Sequence, residues 1–551
     1  MTDLPYFVLL IGVLIFVHET GHFLFAKLFD VKVLKFSLGF GPRMLGFRRG
    51  ETDYVVAWLP LGGFVKMLGE DPNDEIKPED QGRAFNQKPL WQRYIIVLAG
   101  PAFNLIFPIF VLFFWVVATH TQQAPAMLGK VFPGDPAAAA GLRPGDRVVA
   151  VDGDPIRYWE DLVAHIEDSP GKPLRLSIER DGQRFERLVT PHEQVERDHL
   201  NLEQRVGRIG IGNRFELAQV GISDAASPAA RAGLQTGDLV TSVNGITVER
   251  WPQLEKVLRE NRGHSLRISY LRPGPLASPL LKLRVLSPAA TVVDPEPRRA
   301  EGKTVYEAGI YSAEFFVRTV DKGSPADQIG MRPGDRVTAF NGQPLRNWET
   351  IILTLEAKKS ATHTISWMPY GGSPRTRSFK LAHVTYLDDY SQEQQRYVFG
   401  AYNRLLWRAP DPIPIDGRVS YAITRALRQT GEIARVTFLA VVQAIRGAIP
   451  RDSIGGPLMI LKASGVAARK GWDHFLWLLT LISINLGILN LLPIPILDGG
   501  HIMFFTIEAV KRRPLSLRAR EIASYVGLVL LISLLVYACR NDIVRYTNWF
   551  K

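Results

Sequence analysis

The sequence predicts an α-helical multi-pass membrane protein with about four transmembrane helices, a membrane-associated β-ribbon and tandem α+β domains outside the membrane. Apolar runs stand at about 5–28, 94–118, 474–492 and 522–539, each near the roughly 20 residues that cross a bilayer. The polar centre repeats itself, and basic residues crowd two of the loops. Of the 551 residues, 46% are hydrophobic and 22% charged, an average that conceals apolar ends around a polar middle.

The first span, 1–30, carries His18-Glu19-Thr20-Gly21-His22 inside its apolar run. Ionisable side chains are costly in hydrocarbon and mark a site by default. Positions i and i+4 share a helix face, so His18 and His22 can offer ring nitrogens to one Zn²⁺. Glu19 lies beside that face and can take a proton from metal-activated water. A hydrogen-bonded core histidine accounts for one buried His, not for three ionisable groups on adjacent turns. The run does not read as a cleavable signal peptide, because Met1-Thr2-Asp3 is acidic and no small-residue cleavage site follows.

Within 31–90, the stretches Val31 to Gly41 and Tyr54 to Leu59 favour β-branched and aromatic residues and predict a β-ribbon on the cytoplasmic side. The ribbon either holds an unwound substrate segment or is a structural hairpin anchored by Trp58. A second span follows at 91–119, with Gly100-Pro101-Ala102-Phe103-Asn104 near its start.

The centre contains Gly141-Leu142-Arg143-Pro144-Gly145-Asp146, which recurs as Gly233-Leu234-Gln235-Thr236-Gly237-Asp238, with Thr236 where the others have Pro, and as Gly330-Met331-Arg332-Pro333-Gly334-Asp335, spacings of 92 and 97 residues. Thirteen residues after each Asp stands Trp159, Trp251 or Trp348. Such a period means tandem copies of one small domain, placed at 127–205, 206–300 and 305–385. Each reads as a short helix, a glycine turn, a strand such as Arg147 to Val151 and a hairpin turn such as Asp152-Gly153. In the region 386–470, basic and apolar residues from about Arg418 to Ala448 have helical spacing, including Arg425, Arg428, Arg435, Phe438 and Arg446. This predicts a helix on the outer membrane face or against the repeats.

A hydrolytic zinc site takes three protein ligands and leaves a fourth position open. The third span, 471–510, offers one in Asn490-Leu491-Leu492-Pro493-Ile494-Pro495-Ile496-Leu497-Asp498-Gly499-Gly500-His501. Two close prolines cannot continue a helix, and broken backbone at membrane depth is tolerated only when protein buries it or it lines a cavity. Such a break can present Asp498 as a ligand and Asn490 as a donor to substrate backbone or a developing oxyanion. Taken by itself, the segment reads rather as a loop at the membrane surface with an Asp turn; beside the motif of the first span, the ligand reading prevails. A fourth span follows at 520–541.

Nine basic residues lie between spans one and two, from Lys32 to Lys88, and five between spans three and four, from Lys511 to Arg520. Both segments are therefore expected in the cytoplasm, with the termini and the repeats outside it. The net charge of +12 is in part this topology signal and gives no reason to invoke nucleic acid. A single cysteine, Cys539, excludes an intrachain disulfide and a Cys-cluster metal site.

His-Glu-x-x-His in a first span with Asn-x-x-Pro-x-Pro-x-Leu-Asp-Gly in a later one resembles the site-2 protease family of intramembrane metalloproteases, peptidase family M50. Gly100 to Asn104 also resembles that family, and the Pro-Ala, Gly-Leu, Pro-Gly-Asp blocks resemble bacterial PDZ domains. The resemblance implies Zn²⁺ on His18, His22 and Asp498, Glu19 as general base, and support of substrate or transition state by Asn490, Asn104, Pro493 and Pro495. It also implies a bacterial inner-membrane endopeptidase with periplasmic PDZ domains. Expected substrates are single-pass proteins of the anti-sigma factor or remnant signal-peptide type, already cut by an upstream periplasmic protease. PDZ domains bind extended peptides at a sheet edge, which places such grooves at Val131 to Pro133, Val220 to Ile222 and Val317 to Val320. Three copies depart from the one or two usual in bacterial relatives. An inert PDZ scaffold and a metal transporter are the competing readings, the second lacking the extra spans and inverted repeats of such folds.

Overall fold

The computed structural model describes residues 3–71, 74–197, 203–278, 283–300, 303–387, 393–403, 405–447, 455–513 and 515–547. Met1 and Thr2 of the acidic N-terminal tripeptide thus lie outside the described residues. The chain divides into two compact units. One holds both ends, up to Thr121 and from Pro414 onwards; the other holds Gln122–Tyr386 and Glu393–Ile413.

The first unit is built on helices. α1 (Leu4–Leu28) opens with Pro5, whose fixed φ suits a first turn. The ribbon strands β1 (Val33–Arg49) and β2 (Thr52–Met67) follow, then α2 (Leu90–Thr119). After the second unit come α3 (Arg418–Ile445), α4 (Pro457–Lys470), α5 (Trp472–Asn490), α6 (Asp498–Lys511) and α7 (Leu517–Thr547). Among the described residues four helices, within α1, α2, α5 and α7, are long and apolar enough to cross a membrane, where a helix satisfies its own backbone.

Prolines set how these helices meet. Pro108 inside α2 has no N–H, so the carbonyl of Asn104 loses its intrahelical donor. Ser483 of α5 supplies the replacement, its hydroxyl donating to the Asn104 carbonyl at 2.8 Å. At the far end of α7, the buried Asp542 accepts the backbone N–H groups of Gly456, Leu458 and Met459 at 2.9, 3.0 and 3.1 Å. A carboxylate is favoured at such a helix start, so α7 caps α4.

The ribbon is longer than the expected stretches and folds back on itself. Phe36 pairs with both Tyr54 and Val65, and Leu38 with both Val56 and Gly63. The first part of β1 therefore lies between two parts of β2, and bends at Gly39, Gly41 and Gly62, all at positive φ, turn the chain. Trp58 does not pack inside the protein: it is among the exposed apolar side chains, at 66%.

In the second unit, three copies share one antiparallel sheet order. In the first copy, Asp154–Pro155, Arg147–Val151, Leu174–Arg180 and Gln183–Val189 lie side by side, and the same order recurs around Leu239–Val243 and Arg336–Phe340. The hairpin turns Asp152-Gly153, Asn244-Gly245 and Asn341-Gly342 all have positive φ at both residues, as a type I′ turn requires. Asp146 and Asp238 are buried and held by Arg180 and Arg272, at 2.6 and 2.7 Å.

Each core closes with residues beyond the expected repeat. Ile209 and Ile211 complete the first, Ala308 and Ile310 the second, Phe399 and Ala401 the third. The expected boundary at 205/206 falls inside the strand Glu203–Arg208. These closing segments also correct the expected peptide grooves. Lys130–Val131 already pairs with Ile211–Gly212, Val220–Gly221 with Tyr311–Ser312, and Thr319–Val320 with Ala401–Tyr402. Their sheet edges are filled from within the chain. An open groove of about 420 Å³ lies instead beside the closing segment of the second copy, between Ala308–Ser312 and the helix Trp251–Glu260, with Phe315 and Arg336 at its rim.

The three copies meet at a buried polar joint. Lys130 of the first donates to Glu314 of the third at 2.8 Å, and Ser312 donates to Glu216 at the start of the second. Trp407–Arg408, the chain leaving the third copy, pairs with Phe215–Glu216, and the Lys130 ammonium lies 4.9 Å from the Trp407 ring.

Candidate metal centre

α1 places His18 and His22 on one face, and the break between α5 and α6 brings Asp498 to them. His18 Nε2 lies 3.2 Å from Asp498 Oδ2, His22 Nε2 lies 3.5 Å from Asp498 Oδ1, and the two Nε2 atoms lie 3.3 Å apart. A tetrahedral ion about 2.1 Å from each ligand requires ligand atoms about 3.4 Å apart. The three separations are thus the edges of one face of such a tetrahedron, and this donor set fits zinc.

The ring nitrogens remote from this face set the tautomers. His22 Nδ1 donates to the Ile96 carbonyl at 2.9 Å, in the part of α2 that Pro101 interrupts, and so leaves Nε2 free as a ligand. His18 Nδ1 faces the Asn104 amide at 3.1 Å. The Asn490 amide approaches His18 Nε2 at 3.4 Å.

Glycines make the assembly possible. A Cβ on Gly100 would lie 2.2 Å from His22 Nε2, and one on Gly21 would lie 2.4 Å from the Ala99 carbonyl oxygen. α1 and α2 therefore touch through backbone at the site. Gly499 and Gly500 similarly let α6 rest on the Leu492 and Ile494 carbonyls. Glu19 is 7% exposed, and β2 passes over it: a Cβ on Gly63 would lie 3.1 Å from Glu19 Cγ.

The structure thus gathers His18, His22, Asp498, Asn490 and Asn104, with Glu19 alongside. Pro493 and Pro495 lie in the segment between α5 and α6, and Pro495 packs against Gly527 of α7. They follow the end of α5 at Asn490 and precede Asp498, the first residue of α6. Sequence reasoning did not single out the Ile96 carbonyl, Ser483 or Gly63. The paired glycines at 62 and 63 were the available signal for a close approach.

A family model described as Peptidase family M50 matches residues 6–534. Regulator of sigma-E protease RseP of Escherichia coli is 29% identical over 553 aligned positions, covering 98% of each chain. The Haemophilus influenzae regulator of sigma E protease is 27% identical, also covering 98% of both. Among solved structures, a PDZ domain protein from Parabacteroides distasonis matches 52% of this chain and 95% of its own at 9% identity and a TM-score of 0.13. The chain belongs to peptidase family M50 and is an intramembrane zinc metalloprotease.

Proposed function

We propose that the chain is a site-2 endopeptidase that cuts the membrane-spanning segments of single-pass proteins after a first cut outside the membrane. The observation that carries this reading is the tetrahedral face formed by His18, His22 and Asp498, drawn from segments 476 residues apart (498 − 22), with Glu19 adjoining it. Zinc held there would polarise the scissile carbonyl and acidify the attacking water. Glu19 accepts the proton from that water and returns it to the leaving amine. Asn490 donates to the oxyanion as it develops.

A helical substrate has its carbonyls already bonded, so it must unwind to react. The part of β2 around Gly63 passes over Glu19 and supports capture of the unwound segment by strand pairing. The basic loops support a cytoplasmic ribbon, and a periplasmic location of the repeats in a bacterial inner membrane. The E. coli and Haemophilus relatives are named as regulators of sigma-E, which supports an anti-sigma factor as one substrate class. The three PDZ-like copies act as a size filter that admits trimmed stubs and excludes folded ectodomains, since a steric penalty on the wrong substrate supplies specificity.

The groove beside Ala308–Ser312 supports a second reading, in which the middle copy captures the new C-terminus left by the first cut. Zinc content and cleavage of a tagged single-pass helix by the purified protein test the main reading. Protein that binds no metal and cuts neither trimmed nor intact helix would overturn it.

A further inference from the structure

Asn104 is fully buried in α2, and its side chain is spent on one contact. The amide nitrogen lies 3.1 Å from His18 Nδ1, while the amide oxygen meets no hydrogen-bond partner among the described residues. A buried polar atom without a partner is costly and requires a reason.

The reason lies in the two tautomers of His18. An amide nitrogen facing Nδ1 at 3.1 Å favours a lone pair there and the ring proton on Nε2, the atom that points at Asp498 and His22, against the longer approach of the Asn490 amide nitrogen to Nε2 at 3.4 Å. A metal ligand needs the reverse, with the lone pair on Nε2 and the proton on Nδ1. A half-turn of the Asn104 amide brings its oxygen to Nδ1 and satisfies that second tautomer. Either way one end of the amide bonds to His18 and the other is unpaired. The residue is therefore matched to the histidine rather than to its own surroundings.

Its backbone is fixed for the same task. Pro108 frees the Asn104 carbonyl, and the Ser483 hydroxyl holds it at 2.8 Å, so α5 anchors the residue that α2 presents to α1.

We propose that Asn104 is a positioning residue for His18, whose amide oxygen accepts the Nδ1 proton when Nε2 binds zinc. It touches neither substrate nor metal. This rests on the assignment of His18 as a ligand.

Zinc affinity by chelator competition on the purified full-length protein tests this, with helical content as a folding check. Asn104→Ala is expected to weaken zinc by about 10- to 100-fold, the usual effect of losing a ligand's outer partner. Asn104→Asp is expected to restore wild-type affinity or exceed it, because a carboxylate accepts the Nδ1 proton and has no unpaired N–H. Wild-type affinity in folded Asn104→Ala, or Asn104→Asp no better than Ala, would overturn the proposal. Failure of the ligand assignment is distinguishable: His18→Ala would then retain full zinc affinity.

Discussion

The His22 imidazole fills the space that a side chain on Gly100 would need: its Nε2 sits 2.2 Å from where a Cβ on Gly100 would be. The glycine is therefore part of the candidate metal centre although it offers no ligand.

Gly100→Ala is expected to push the His22 ring off the tetrahedral face and reduce zinc affinity at least 10-fold. Gly12→Ala, in α1 where a Cβ meets nothing within 4 Å, should be neutral or stabilise by about 0.5–1 kcal/mol. Metal content of the two purified variants checks this, and equal occupancy would refute it.

Glu19→Gln should retain zinc and lose turnover by about 10²- to 10⁴-fold, because the amide keeps the shape and cannot accept a proton. Asp498→Ala should lose metal and activity together. Measured on the same preparations, metal and rate should separate in the first variant and fall in step in the second. Turnover retained by Glu19→Gln would remove it from the base role.

The filter is tested by deletion, with cuts set by the cores. Removing 127–385 would strand Phe399 and Ala401, which belong to the third core, so the excision should run from Gln122 to Ile413 with a flexible bridge. Filtering predicts that intact substrate is now cut at a rate approaching that of trimmed substrate. Peptide capture predicts slower cleavage of trimmed substrate and continued rejection of intact substrate.

The joint between copies gives a pH dependence. Burial, and then the charge of Glu314, push the Glu216 carboxyl up to about 7; Glu255 adds to the rise, while Ser312 and Lys130 oppose it. The Asp335 carboxyl is also pushed up by burial. A carboxyl raised in the folded state contributes stability that is present below its unfolded value, about 4.3, and lost as pH rises through the folded one. The repeats should therefore melt several degrees lower at pH 8 than at pH 5.5. Calorimetry of the full-length protein should show a smaller difference in Glu216→Gln. An unchanged slope would assign the effect to other groups.

What the sequence made legible follows from how strongly a physical demand marks it. Hydrocarbon requires long apolar helices, so α1, α2, α5 and α7 stand out, and ionisable residues inside them point to the site. His18 and His22 are set by helical spacing alone, and Asp498 by two prolines that forbid any continuous helix. The closing segments of the repeats escaped notice because Ile211–Gly212 and Ala401–Tyr402 are two residues long, too short for a period of two to register. Each also follows a hairpin arm that hides its membership. The ribbon beyond Phe40 alternates poorly because its glycines fold it into four short segments. Gly63 and Gly100 act through what approaches them, which no local pattern records.

The pairing of Trp407–Arg408 with Phe215–Glu216 has a consequence for how the three copies assemble. In a linear repeat array each unit contacts only its neighbours, so stability adds along the chain and folding can start anywhere. Here the first copy is bonded to the third through Lys130 and Glu314, and the segment after the third returns to the link between the first two. The block is a closed circuit. Its last clasp spans nearly 200 residues (408 − 215 = 193), so ordering it carries the slow kinetics of high contact order. Excising one copy would not shorten the array by a third but open the circuit at two points, and the number of copies cannot vary independently of the joint that binds them.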